Sequence, residues 1–122
     1  MLNKVMIIGN CGKETEMRFT PNGKPVTSFS VAVNSKFGEQ ETTEWFRIVC
    51  WNKLAETCNQ YLRKGQQVYV EGRQQTSHWE DKDNKIHVKT EVVANRVLFL
   101  GKRTEKSEHE LHEVDLAEDL PF

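Results

Sequence analysis

Apolar and polar positions alternate with a period of two through most of the chain, the spacing of half-buried strands. Residues 3–9 (NKVMIIG) read as a first strand, rich in apolar and β-branched residues and stopped at Gly9-Asn10. Met17-Arg18-Phe19-Thr20 continues it after a bulge or loop, and Pro21-Asn22-Gly23-Lys24-Pro25 is a turn with two prolines and an Asn-Gly pair. Residues 26–34 (VTSFSVAVN) interleave Val and Phe with Thr and Ser, as a second strand in hairpin geometry with the first. Residues 35–43 (SKFGEQETT) read as a polar loop holding one aromatic, Phe37, and residues 44–51 as the third strand.

The period then changes. Leu54, Ala55, Cys58, Tyr61 and Leu62 fall on one helical face, with Asn52 suited to the N-cap, Arg63 and Lys64 to the last turn, and Gly65 to the position past the end. That face is suited to plugging a barrel. Strands resume at 67–79 and 86–100 around a charged turn, Glu80 to Lys85, and Gly72 marks a bend or bulge in the first of them. The order β-β-β-α-β-β predicts an all-β domain with one short helix, the OB-fold barrel of five strands, over a split sandwich with the same string.

The third strand raises a chemical question. In Trp45-Phe46-Arg47-Ile48-Val49-Cys50-Trp51, alternation gives Phe46, Ile48 and Cys50 a wholly apolar face. The opposite face carries Trp45, Arg47, Val49 and Trp51. Two large rings with a guanidinium between them suit either a subunit interface or a platform on which bases stack, each stacked base contributing about 1–3 kcal/mol. Trp79 ends the fourth strand, in parity with Tyr69 and Arg73 if no bulge intervenes, and Phe37 stands in the loop before the third strand. Lys36, Lys53, Arg63, Lys64 and Arg73 supply the positive charge that a nucleic-acid backbone needs.

Charge sharpens the picture. Net charge is −1, yet residues 1–103 hold 16 Lys and Arg against 11 Asp and Glu, a net of +5, and residues 104–122 hold one Lys against seven acids, a net of −6. A basic body with an acidic end suggests a polyanion-binding domain and a separate tail. The end itself, Asp115-Leu116-Ala117-Glu118-Asp119-Leu120-Pro121-Phe122, turns abruptly apolar and is suited to anchoring in a partner's pocket; a disordered solubilising tail is the plainer alternative. No apolar run approaches a membrane span, and the N-terminus is too short and poorly flanked for a signal peptide, so a cytoplasmic location is expected. Cys11, Cys50 and Cys58 form no CxxC pair and read as free thiols, buried or semi-buried, as in a reducing compartment. His109 and His112 read as solvated tail residues, and His78 and His87 join no catalytic constellation. No catalytic, metal or cofactor motif stands out, so a non-enzyme is expected.

Taken together, these segments resemble bacterial single-stranded DNA-binding proteins. The resemblance is carried by Asn3-Lys4-Val5, Gly9-Asn10, Pro21-Asn22-Gly23, Thr43-Glu44-Trp45, Lys53-Leu54-Ala55-Glu56, Tyr61-Leu62-Arg63-Lys64-Gly65, Val68-Tyr69-Val70-Glu71-Gly72, Thr90-Glu91-Val92-Val93 and the terminal Asp119-Leu120-Pro121-Phe122. It implies an OB domain over residues 1–101, a short charged linker over 102–114 and a partner-binding acidic tip over 115–122, within a disordered tail. It also implies a homotetramer in the cytoplasm, associated with the nucleoid, protecting single-stranded DNA during replication, recombination and repair. Four base-stacking positions carry over to Phe37, Trp45, Trp51 and Trp79, and basic contacts to Arg47, Lys53 and Lys64. Recruitment of replication, recombination and repair proteins carries over to Asp115, Glu118, Asp119, Leu120, Pro121 and Phe122. Two features depart from the family: Thr76-Ser77-His78 stand where basic residues often precede the last ring, and the long Gly/Gln/Pro-rich linker is missing. An RNA-directed OB module and an OB-fold accessory protein are the competing readings; the DNA-type tip argues against the first and the retained aromatic platform against the second.

Overall fold

The computed structural model describes residues 1–101. The expected linker and tip, with Asp115, Glu118, Asp119, Leu120, Pro121 and Phe122, lie outside the described residues. The elements run β1 (Val5–Cys11), β2 (Glu16–Phe19), β3 (Pro25–Phe37), β4 (Gln40–Trp51), α1 (Asn52–Tyr61), β5 (Gln67–Glu80) and β6 (Ile86–Phe99). The sheet order is β1-β5-β6-β4-β3-β2, and an added β1–β3 pairing closes five strands into a barrel. With α1 between the third and fourth barrel strands, this is the expected OB-fold.

Closure depends on close backbone approach. β1 meets β3 through Asn10 opposite Ala32 and Cys11 opposite Val31. A Cβ on Gly9 would collide with the Ala32 carbonyl oxygen and lie 2.7 Å from Val31 Cγ1, so the bare Cα is what lets the two strands come together. β2 then resumes the line of β1 along the same edge of β3, with Glu16 opposite Ser28, as the sequence suggested.

Inside the barrel, Ile7, Phe29, Val31, Ile48, Cys50, Val68, Val70, Val92, Val97 and Phe99 pack with Ala55 and Cys58 of α1 and with Leu62 just past its end. β1, β3, β4, β5 and β6 contribute alternate residues, as burial on one face requires. The helical face read from the sequence is the one that plugs the barrel, with Leu54 and Tyr61 packed at its margin. The buried Thr27 hydroxyl donates to the Ala55 carbonyl at 2.7 Å, fixing the helix against β3.

Three expectations are corrected. Residues 35–43 are not a loop: β3 and β4 continue as a hairpin arm to Phe37 and Gln40, joined by Gly38-Glu39 with Gly38 at φ 66°. Such two-residue turns favour glycine at a left-handed first position. The arm projects beyond the core, so neither of its faces needs apolar residues and the alternation that marks a strand is missing. Asn52 does not cap α1 with its side chain; it takes φ 57°, a left-handed conformation that Asn tolerates, and the cap position falls on Trp51. Arg63 and Lys64 lie beyond the helix, because Leu62 is already extended at φ −74°, ψ 134°.

The irregularity expected at Gly72 is present, with the extra residue on the opposite strand. Glu71 pairs with Arg96 and Gly72 with Ala94, so Asn95 of β6 has no partner in β5. This bulge changes which parity of β6 faces inward, from Val92 and Ala94 to Val97 and Phe99. Gly72 makes room for it: a Cβ there would collide with the Val93 carbonyl oxygen and lie 2.8 Å from Ala94 Cα. Gly72→Ala should therefore destabilise the barrel by about 1–3 kcal/mol, the usual range for overpacking. Thermal unfolding checks this, and an unchanged melting temperature would mean that β6 can move aside freely.

Candidate nucleic-acid interface

β4 turns its two tryptophans outward because its other side is fully committed to the core. Ile48 and Cys50 are wholly buried, whereas Trp45 and Trp51 keep 60% and 41% of their surface exposed. Strand register extends this outer face. In β3, Val26, Ser28, Ser30 and Ala32 stand opposite Trp51, Val49, Arg47 and Trp45. On the other side Val49 pairs with Val93 of β6. Across β6, Val93, Glu91, Lys89 and His87 oppose Arg73, Gln75, Ser77 and Trp79 of β5. Paired residues share a side, so Trp45, Arg47, Trp51, Arg73 and Trp79 occupy one continuous sheet face. The bulge lies in β6, leaving the parity from Tyr69 through Arg73 to Trp79 intact.

Phe37 differs. It lies at the tip of the β3–β4 arm, 91% exposed, and its parity places it on the other side of the ribbon from Trp45. A strand contacting Phe37 and the tryptophans together has to wrap around the arm.

Each tryptophan has its own setting. Trp45 lies against the backbone of Gly12: a Cβ there would collide with ring atom Cζ3 and lie 2.8 Å from Cη2. Lys13 and Ser30 line the same hollow. Trp51 borders a hollow of about 180 Å³ lined also by Arg18, Ser28, Arg47, Lys89 and Glu91. Trp79 stacks on His87, with ring centroids 5.3 Å apart and planes inclined by 20°. One side of that indole is thus already covered, leaving the other for a ligand. His87 Nε2 lies 2.7 Å from Asp81 Oδ2. That hydrogen bond, with a second from the Lys85 backbone N–H, holds the Asp81 carboxyl below its ordinary range.

The cations are less uniform than the sequence suggests. Arg47 donates from Nε to Glu91 Oε2 at 2.8 Å, and Lys89 Nζ lies 3.2 Å from the same oxygen. Arg73 donates to Gln75 Oε1 at 3.1 Å. Lys53 stands in the first turn of α1, off the strand face, and Lys64 is exposed in the turn after the helix. The Gly65 N–H donates to the Cys11 carbonyl at 2.7 Å, which sets the Lys64 turn beside the Gly12-Lys13 segment under Trp45. Five residues of this surface escaped the sequence reading: Lys13, Arg18, His87, Lys89 and Glu91. Their places depend on register between distant strands, and only the Trp79–His87 hairpin offered a local signal.

Among the described residues, no group of three or more His, Cys, Asp and Glu gathers as a metal site, and no helix is long and apolar enough to cross a membrane. Cys11, Cys50 and Cys58 form no disulfide and are buried.

Residues 2–100 match the model of the single-strand binding protein family. The chain is 47% identical over 106 residues to single-stranded DNA-binding protein 1 of Chlorobaculum tepidum, covering 82% of this chain and 65% of the relative. It is 42% identical over 111 residues to the single-stranded DNA-binding protein of Neisseria meningitidis, covering 87% of this chain and 64% of that relative. The matched region therefore spans slightly less than two thirds of both relatives. The fold is similar to that of a solved structure titled Plasmodium falciparum SSB complex with ssDNA, with a TM-score of 0.77 and 32% identity over 83% of this chain and 96% of the other.

The contact between Gly12 and Trp45 is directly testable. In a background where Trp51 and Trp79 are replaced by Phe, Gly12→Ala should move the Trp45 ring and shift its emission maximum, with far-UV circular dichroism unchanged. An emission spectrum identical to the parent's would mean that the ring does not rest on that backbone.

Proposed function

Because the chain belongs to the single-strand binding protein family, we propose that it binds single-stranded DNA irrespective of sequence, without catalysis. The observation that carries this reading is the shared face of Trp45, Trp51 and Trp79, interleaved with Arg47, Arg73, Arg18 and Lys89. Every base has a π-face, so stacking on indoles favours all sequences, while Lys and Arg follow the phosphates. Exposed indoles keep large apolar surfaces in water and gain no burial free energy from them, which favours a binding role over a purely structural one. Phe37 supplies a fourth ring to DNA that passes around the β3–β4 arm, and Lys53 and Lys64 contact the backbone at the margins.

The proposal extends to a homotetramer. β1 meets β3 only at Asn10 and Cys11, and along Val5–Ile8 no strand covers its other edge among the described residues. Met6 and Ile8 are exposed there. An open edge with alternating apolar residues favours pairing with another copy. The cellular role proposed is protection of single strands in replication, recombination and repair in the cytoplasm, at the nucleoid. The tip Asp115, Glu118, Asp119, Leu120, Pro121 and Phe122 recruits the proteins of those processes through the Phe122 ring and the flanking acids. The tip is tethered to the barrel by about a dozen residues, a length that keeps its local concentration near the basic face high.

Trp45→Ala and Trp51→Ala should each weaken binding of oligo(dT) by about 1–3 kcal/mol while leaving thermal stability near the parent's. Matched losses of stability and binding would make the rings structural. Deleting residues 115–122 should tighten oligo(dT) binding at low salt and abolish recruitment of repair proteins; unchanged affinity would remove the tip from any competition with DNA.

A further inference from the structure

The middle of the tryptophan face contains an acid where a polyanion has to dock. Glu91 lines the hollow beside Trp51 and also a separate hollow of about 200 Å³, distinct from the one over Gly12, that it shares with Trp45, Arg47, Gln74 and Thr90. Its side chain is only 13% exposed, and a single oxygen, Oε2, accepts from Arg47 at 2.8 Å and faces Lys89 at 3.2 Å. Arg47 also lies 3.5 Å from the Ser28 hydroxyl through Nη2. The guanidinium between the two indoles is therefore held by an internal carboxylate before any ligand arrives.

This arrangement has a consequence for how a single strand lies. A free guanidinium and ammonium at the centre would attract phosphates, placing the backbone over the indoles and turning bases outward. With Glu91 bound to both, the three groups sum to +1 rather than +2, and the fixed guanidinium offers a flat face, which suits a base. Exposed cations on the margins, Arg18 beside Trp51 and Lys13 beside Trp45, remain for the phosphates. We infer that Glu91 is a specificity-determining positioning residue: by occupying Arg47 and Lys89 it reserves the centre of the face for bases and directs the backbone to the rim. The inference rests on the single-stranded DNA reading and adds to it the orientation of the bound strand.

The test uses the full chain and a fluorescein-labelled oligo(dT), with affinity measured across a range of salt and tryptophan quenching measured at saturation. Glu91→Gln keeps the size and an acceptor oxygen but frees the two cations. It should steepen the slope of log K against log salt by about 1–2, as one or two phosphates are captured, and should reduce quenching because backbone displaces bases. Glu91→Asp should restore both towards the parent. An unchanged or shallower slope overturns the inference, and so does a steeper slope with full quenching, since the sorting of bases from phosphates would then be absent. If Glu91→Gln does not fold, Glu91→Ala decides on the same two readings: a steeper slope with reduced quenching is expected, and an unchanged or shallower slope would overturn the inference. Failure of the parent chain to bind the oligomer would reject the DNA reading as well, whereas a binding parent with any of the contrary slopes rejects only the role of Glu91.

Discussion

This five-stranded barrel closes only where β1 and β3 can touch, and that contact depends on the bare Cα of Gly9 beneath the Ala32 carbonyl. Closure fixes the inside of every strand. Once Ile48 and Cys50 are committed to the core with Val31, Val70 and Val97, strict alternation leaves Trp45, Arg47 and Trp51 pointing outward. The same constraint acts on β6, where alternation from Val92 and Ala94 would bury Arg96 instead of Val97. The bulge at Asn95, admitted by Gly72, resolves that conflict while keeping Lys89 and Glu91 on the side of the tryptophans.

The outer face is thus a by-product of core packing that has been given a chemistry of its own. Three indoles stay in water, each with a different support: the Gly12 backbone under Trp45, a hollow with charged walls beside Trp51, and the His87 ring on Trp79. A surface needing only solubility would carry short polar groups there. Large rigid rings lose little entropy when a flat ligand settles on them, which suits binding that must tolerate any base. Charge is organised on the same principle, with the largely buried Glu91 side chain engaging Arg47 and Lys89 in the middle and Lys13 and Arg18 towards the edges.

Much of this was legible in the residues themselves. The inward parity of Ile48 and Cys50 and the helical face of Ala55, Cys58 and Leu62 follow from local periodicity, and both are buried as read. The irregularity near Gly72 was also visible, though not that the extra residue lies on β6. The arm over 35–43 was missed because a ribbon without a core has no hydrophobic period to betray it. Asn52 was misread because left-handed backbone and side-chain capping favour the same residue type. Glu91 and Lys89 could not be assigned to the face of Trp45, because parallel pairing of β4 with β6 joins segments more than forty positions apart. That pairing has no local signature, and a sequence without it shows only an ordinary acid in a strand.

The central claim is that the indoles of this face meet bases, and tryptophan fluorescence tests it most directly. Titrating the intact protein with poly(dT) at low and high salt should quench the emission strongly, to a sharp stoichiometric endpoint at low salt, because stacked bases lie against the rings. A folded protein that binds poly(dT) with its emission unchanged would contradict the account and return Trp45, Trp51 and Trp79 to a structural role.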